Sequence, residues 1–243
     1  MIFKFTSSLV VILLTSFISM LKSDIDKTGT ALNVEKSEDF DVNGKGDNPN
    51  WKKVDWITMN TLDDSKDAFQ TKFKILYSHT GMYVLAFCED NLISTEYTQD
   101  QGDIWEGDVF EVFLQTDPEN PLYFEYEINP LNTELAILVP NNNGDFFGWS
   151  PWHYEGERKV VKAVHVEGGT AATGEKIRSW TAEIFIPFAL FKGLKNTPPQ
   201  AGTQWKGNFY RMDYDGGVRK SWSWQPVEIN FHEYKKYGTL NFR

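Results

Sequence analysis

Cysteine is almost absent. The 243-residue chain holds one, Cys88, inside an apolar run. No intramolecular disulfide can form, so a small buried hydrophobe is its natural role. Histidine is scarce as well: His79, His153, His165 and His232 never fall in a C-x-x-C-H or H-E-x-x-H spacing. Covalent haem attachment and zincin chemistry are thereby excluded. Neither G-x-S-x-G nor GxxxxGK[ST] occurs. That removes the nucleophile elbow and the phosphate-cradling nucleotide loop. Positive charge is in deficit too, with 24 Lys and Arg against 34 Asp and Glu and a formal net charge of −10. Nucleic acid needs a basic face, and anionic lipid or acidic polysaccharide would be repelled, so a neutral ligand suits this chain better.

Long hydrophobic runs are missing except at the N-terminus. Residues 1–23 read as an export signal, with Lys4 as the positive end and an apolar stretch from Leu9 to Leu14 that continues through Phe17 and Ile18. Thr15, Ser16 and Ser19 interrupt it, which leaves it short of the roughly 20 apolar residues of a spanning helix. An uncleaved anchor is the alternative. Cleavage implies a mature protein outside the cytoplasm, secreted or periplasmic, with no stable membrane insertion. Residues 24–34 are polar and read as a flexible leader. Residues 35–243 show no further linker or repeat and read as one domain.

What the chain has in abundance is aromatic side chains: 9 Trp, 10 Tyr and 18 Phe. Such residues favour strands and build flat apolar surfaces. Residues 71–78 alternate, with Phe73, Ile75 and Tyr77 on one face. A turn at 79–81 and a returning run at 82–88 complete a hairpin. In 109–116 Glu111 lies between Phe110 and Val112, and in 123–129 Glu125 and Glu127 alternate with Phe124, Tyr126 and Ile128. Period-two alternation puts the carboxylates of each strand on a common side. Further strands are expected at 134–139, 159–166, 179–186, 205–212 and 239–242, and one short helix within 187–194. About ten strands with short connections predict an all-β, antiparallel β-sandwich.

Five tryptophans fall where strands end: Trp105, Trp149, Trp152, Trp222 and Trp224. Exposed loop tryptophans are costly, so a cluster of them points to a binding surface. The C–H face of a pyranose packs on an indole, and its hydroxyls need polar partners such as Glu and Asn. Mono- or oligosaccharide is therefore the ligand that this residue set suits.

The residues 108–113, Asp-Val-Phe-Glu-Val-Phe, preceded by Trp105, resemble a strand of carbohydrate-binding module family 9. So do Trp180-x-x-Glu183-x-x-Ile186-Pro187, Trp205-x-x-Asn208-x-x-Arg211-x-Asp213, and the closing segments Trp224-Gln225-Pro226, Phe231-His232 and Tyr237-Gly238-x-Leu240-x-Phe242. Val42, Asn43, Gly44, Lys45 and Trp51 fit its opening. The resemblance spans residues 35–243. It implies a sandwich that clasps a terminal sugar between two tryptophans, without catalysis, in polysaccharide capture or degradation. It places Trp105 and Glu111 as one tryptophan with its acidic partner and Trp224 as the second, with Trp222 competing. The family's basic hydroxyl-reading residue is replaced near Glu127 or Asn129, so the ligand differs. Structural calcium is also implied, with ligands unassigned because no D-x-D-x-D-G loop is present; haem and nucleotide are not.

Two other readings remain open. Asp108, Glu111, Glu125 and Glu127 offer a carboxylate pair, and glycosidases place two carboxyls about 5 to 9.5 Å apart, so a hydrolase or lyase is one. A scaffold whose tryptophan-rich loops dock a partner protein is the other.

Overall fold

The computed structural model describes residues 31–63, 69–142 and 145–243. The export-signal segment therefore lies outside the described residues. So do residues 64–68 and 143–144. The described chain is all-β, with fifteen strands and only short 3-10 turns between them. In chain order the strands are β1 (Ala31–Lys36), β2 (Ile57–Thr58), β3 (Asn60–Thr61), β4 (Thr71–Tyr77), β5 (Gly81–Glu89), β6 (Val109–Gln115), β7 (Leu122–Ile128), β8 (Glu134–Asn142), β9 (Asp145–Phe146), β10 (Ser150–Pro151), β11 (Val161–Glu167), β12 (Ser179–Pro187), β13 (Gln204–Asp213), β14 (Lys220–Ser223) and β15 (Gly238–Phe242).

Two hydrogen-bonded layers result. One runs β10-β8-β7-β6-β13-β15, with β14 beside the far end of β13. The other runs β4-β5-β12-β11. Strand β1 belongs to both, because Ala31–Val34 pairs with β15 and Glu35–Lys36 pairs with β4. Both pairings are parallel, whereas every other ladder between named strands is antiparallel. Three expectations change here. Residues 31–34, read as flexible leader, form the first four residues of the six-residue strand β1 and pair with β15. The sheet is mixed rather than purely antiparallel, and it has more strands than expected because two-residue strands carry too little pattern to be read. The short helix is one 3-10 turn, Phe188–Phe191.

The inner faces of the two layers meet in one apolar core. Phe73 on β4 stacks on Phe209 of β13 with ring centroids 3.9 Å apart, and Trp205, Phe110, Phe124, Trp180 and Ile184 are fully buried around them. A polar tie crosses the same core. The buried Arg211 guanidinium on β13 donates to Asp213 (2.7 Å), to Asp90 at the end of β5 (3.2 Å) and to Thr71 on β4 (3.1 Å), and it lies over the Trp222 ring. Trp180 joins this network by donating its indole N–H to Asp90.

Trp180→Ala removes a fully buried ring and one of the donors to Asp90. It should destabilise the fold by about 3–5 kcal/mol, the usual cost of truncating a core aromatic. Chemical denaturation checks this, and a loss below about 1 kcal/mol contradicts the placement of Trp180 in the core.

Candidate functional site

The outward face of β6, β7, β8 and β13 carries its own smaller apolar cluster, built on Phe113, Tyr123, Ile137, Tyr210 and Met212. Loops close over it. Between them and the strands lies a cavity of about 580 Å³, within the usual range for small-molecule sites. Glu111, Glu125 and Glu127 form part of its floor, and Trp105, Phe146, Trp149 and Phe231 contribute to its walls.

Strand periodicity explains the floor. Glu111 and Glu127 are direct cross-strand partners in the β6–β7 ladder, and Glu125 lies two residues along the same face. Their neighbours Phe110, Val112, Phe124 and Tyr126 point into the core between the layers. All three carboxylates are buried, at 2%, 5% and 1% exposure in chain order. Glu125 and Glu127 hydrogen-bond each other as a carboxyl pair, and Oε2 of each receives no donor from any other residue. Burial disfavours the charged form of each and pushes its pKa up. The Glu125 carboxyl is pushed up to about 7. Glu111 and Glu127 rise well above the usual carboxylate range, through burial first and then through neighbouring carboxylates. His232 also lines the cavity. Its Nδ1 meets the Tyr123 hydroxyl at 2.6 Å and its ring stacks on Phe146. Burial holds it down to about 4, so at neutral pH it carries no charge.

The expected site residues divide. Trp105, Glu111, Glu127 and Trp149 reach the cavity. Trp222 and Trp224 do not, and this corrects the pairing of Trp105 with Trp224. The run Ser221-Trp222-Ser223-Trp224 alternates, with β14 covering the first three, so both indoles point inward while Ser221 faces the cavity. Trp222 is 1% exposed beneath Arg211, and Trp224 packs edge-on to Phe73 and Phe209. The Trp224 ring presses against the β15 backbone at Gly238, where an added Cβ would lie 2.4 Å from it. Asn129 is a turn staple: its Oδ1 accepts from the amides of Leu131 and Thr133, and its Nδ2 donates to the Tyr97 carbonyl. Trp152 donates to the Leu190 carbonyl at the core margin and is not among the cavity walls.

Several cavity residues were not marked as ligand contacts in the sequence. Glu125 shares the alternation of Glu127, so that signal was available. Phe146 lies in the two-residue strand β9, and Arg219, Phe231 and His232 sit in irregular segments; only the fold brings them to the cavity.

A second acidic cluster lies away from the cavity. Carboxylate oxygens of Asp90, Asp213 and Asp215 lie within 4.8 Å of one another. Asp108 accepts from the amides of Ser94 and Tyr214 beside them. Four carboxylates share the single Arg211 guanidinium, and burial raises Asp90 to about 7 and Asp108 to about 6. Hard oxygen donors with excess negative charge fit a calcium ion. Asp90, Asp213 and Asp215 are the residues that would hold it, and it would supply the charge that Arg211 leaves unbalanced.

Carboxylates held protonated in the folded state bind protons that the unfolded chain releases. The contribution of these carboxylates to stability is therefore greatest below the usual carboxylate value of 4.5 and is lost as pH rises through about 7, while the lowered His232 acts in the opposite sense below 6.5. The melting temperature should drop between about pH 5 and about pH 8, and Glu127→Gln should make that drop smaller. An unchanged pH dependence in Glu127→Gln contradicts the buried-carboxylate floor.

The family model "Carbohydrate family 9 binding domain-like" matches residues 42–243. No curated protein matches the chain. Among solved structures, a Bacteroides uniformis protein provisionally described as carbohydrate-binding superposes with TM-score 0.72 at 20% identity, over 88% of this chain and all of its own. A family 9 carbohydrate-binding module of Caldicellulosiruptor kristjanssonii, solved with cellotriose, gives TM-score 0.63 at 16% identity, over 88% of this chain and 93% of that one. The same kind of module solved with glucose gives 0.63 at 14%, over 88% and 95%. The structural likenesses show a shared fold. With the family match across most of its length, the chain belongs to the carbohydrate family 9 binding domain-like family and is a binding domain rather than an enzyme.

Proposed function

We propose that this protein binds carbohydrate without catalysis in the cavity above β6 and β7. The sugar ring packs on Trp105 and Trp149, and its polar groups meet Glu111, Glu125 and Glu127. One observation carries the reading. Buried carboxylate oxygens that no other residue's donor reaches line the same cavity as two accessible indoles. Carboxylates accept hydroxyl hydrogen bonds, and indoles offer the flat apolar face that a pyranose needs. The family match supports it, as do the glucose and cellotriose bound by structural relatives. The apolar segment at residues 9–18 supports a place outside the cytoplasm, in polysaccharide capture or degradation. Calcium at Asp90, Asp213 and Asp215 belongs to this proposal as a stabiliser of the fold that does not touch the ligand.

Trp105→Ala and Trp149→Ala should each weaken sugar binding roughly ten- to a hundredfold, the equivalent of about 1–3 kcal/mol of lost apolar burial, with the fold intact. Trp224→Ala should instead lower the melting temperature. Tryptophan fluorescence titration and thermal melts check these outcomes. Unaltered affinity in both cavity variants overturns the stacking role. Removing calcium with a chelator should lower the melting temperature, because an ion that binds only the folded state stabilises it. A melt that chelation does not move counts against the calcium site.

A further inference from the structure

The cavity has a surplus of acidic groups over basic ones, and a neutral sugar offers them no counter-charge. Five carboxylates line it: Asp63, Glu111, Glu125, Glu127 and Glu228. Among the described lining residues one side chain, Arg219, carries a fixed positive charge. Arg219 is exposed and acts on Glu111. His232 is kept neutral by burial and stands 3.8 Å from Glu125 Oε2, beyond hydrogen-bond distance. Glu228 has its own counter-ion in Lys236. The deep trio therefore faces the cavity without a cation at Glu125 or Glu127; those two carboxyls bond only each other, and each presents a buried Oε2 that no other residue's donor reaches.

Directly opposed like charges on neighbouring strands destabilise a sheet. Two arrangements relieve them. The carboxyls can hold protons, or a cation can enter. An ammonium group supplies a positive charge and three donors on one atom, which a hydroxyl cannot. The indole and phenyl walls meanwhile call for a ring beside that charge.

We propose that the preferred ligand is an amino sugar with a free, protonated amine, seated on Glu125 and Glu127 with its ring against Trp105 or Trp149. This rests on the carbohydrate-binding reading and narrows it. It also revises the expectation of a neutral ligand, which followed from overall charge and not from the cavity.

The test is a calorimetric titration at about pH 7 with glucosamine, glucose, N-acetylglucosamine and ethanolamine. Glucosamine should bind at least about tenfold more tightly than the other three, since pairing a desolvated charge is worth more than one neutral hydrogen bond. Acetylation removes the charge and ethanolamine lacks the ring, so each should lose that advantage. In Glu127→Gln the ratio of glucosamine to glucose affinity should fall by about tenfold. Glu125→Gln serves the same purpose if the first variant does not fold. Glucose or N-acetylglucosamine binding as tightly as glucosamine overturns the amine preference and leaves the carbohydrate reading standing. Ethanolamine matching glucosamine also overturns the proposal. Binding of none of the sugars defeats both.

Discussion

Two adjacent strands, β6 and β7, serve two environments at once, and the like charge they bury is the constraint on everything around them. Their even-numbered side chains, Phe110, Val112, Phe124 and Tyr126, complete the core between the layers. Their odd-numbered ones, Glu111, Glu125 and Glu127, lie side by side on the opposite face. A one-residue slip in register would exchange the two sets. It would drive three carboxylates into the core and expose the aromatics. The core thus holds the strands in a register that keeps the acidic floor facing the cavity.

Two clusters of buried carboxylates stand out among the described residues, and they differ in whether a cation is built in. Around Arg211, Asp90 and Asp213 have a guanidinium partner, and Thr71 and Trp180 add hydrogen bonds within the network. That group ties β4, β5 and β13 together. At the cavity floor the carboxylates have one another and open space. Burying polar groups without partners is costly and persists where it serves a purpose. The aromatic loops above them, with Phe146 stacked on His232 and Phe231 stacked on Tyr210, enclose that floor while leaving Trp105 and Trp149 accessible.

Much of this was legible from local pattern. The hairpin at 71–88 and the acidic alternation at 109–129 appear as β4–β5 and β6–β7 within a residue or two. Trp105 and Glu111 were recognisable because a tryptophan, an acidic residue and an alternating strand lie within seven positions. The inward placement of Trp222 and Trp224, away from the cavity, was not. Trp222 and Trp224 alternate with serines, a pattern that marks one buried face without saying which, and Gly238, which lets the Trp224 ring settle on β15, lies in a distant segment. Trp149 gains its place only when β9 and β10 pair with β8. Parallel pairing of β1 was hidden for the same reason, since it joins residues about 200 positions apart.

The account stands or falls on the cavity as the sugar site. A crystal structure of the protein soaked with a monosaccharide or short oligosaccharide addresses it directly. The account predicts a sugar ring in the cavity, in van der Waals contact with Trp105 or Trp149 and with a polar group on Glu111, Glu125 or Glu127. A ring bound elsewhere, for instance on the exposed Trp56 beside Lys72 and Lys74, with the cavity holding only solvent, would contradict it.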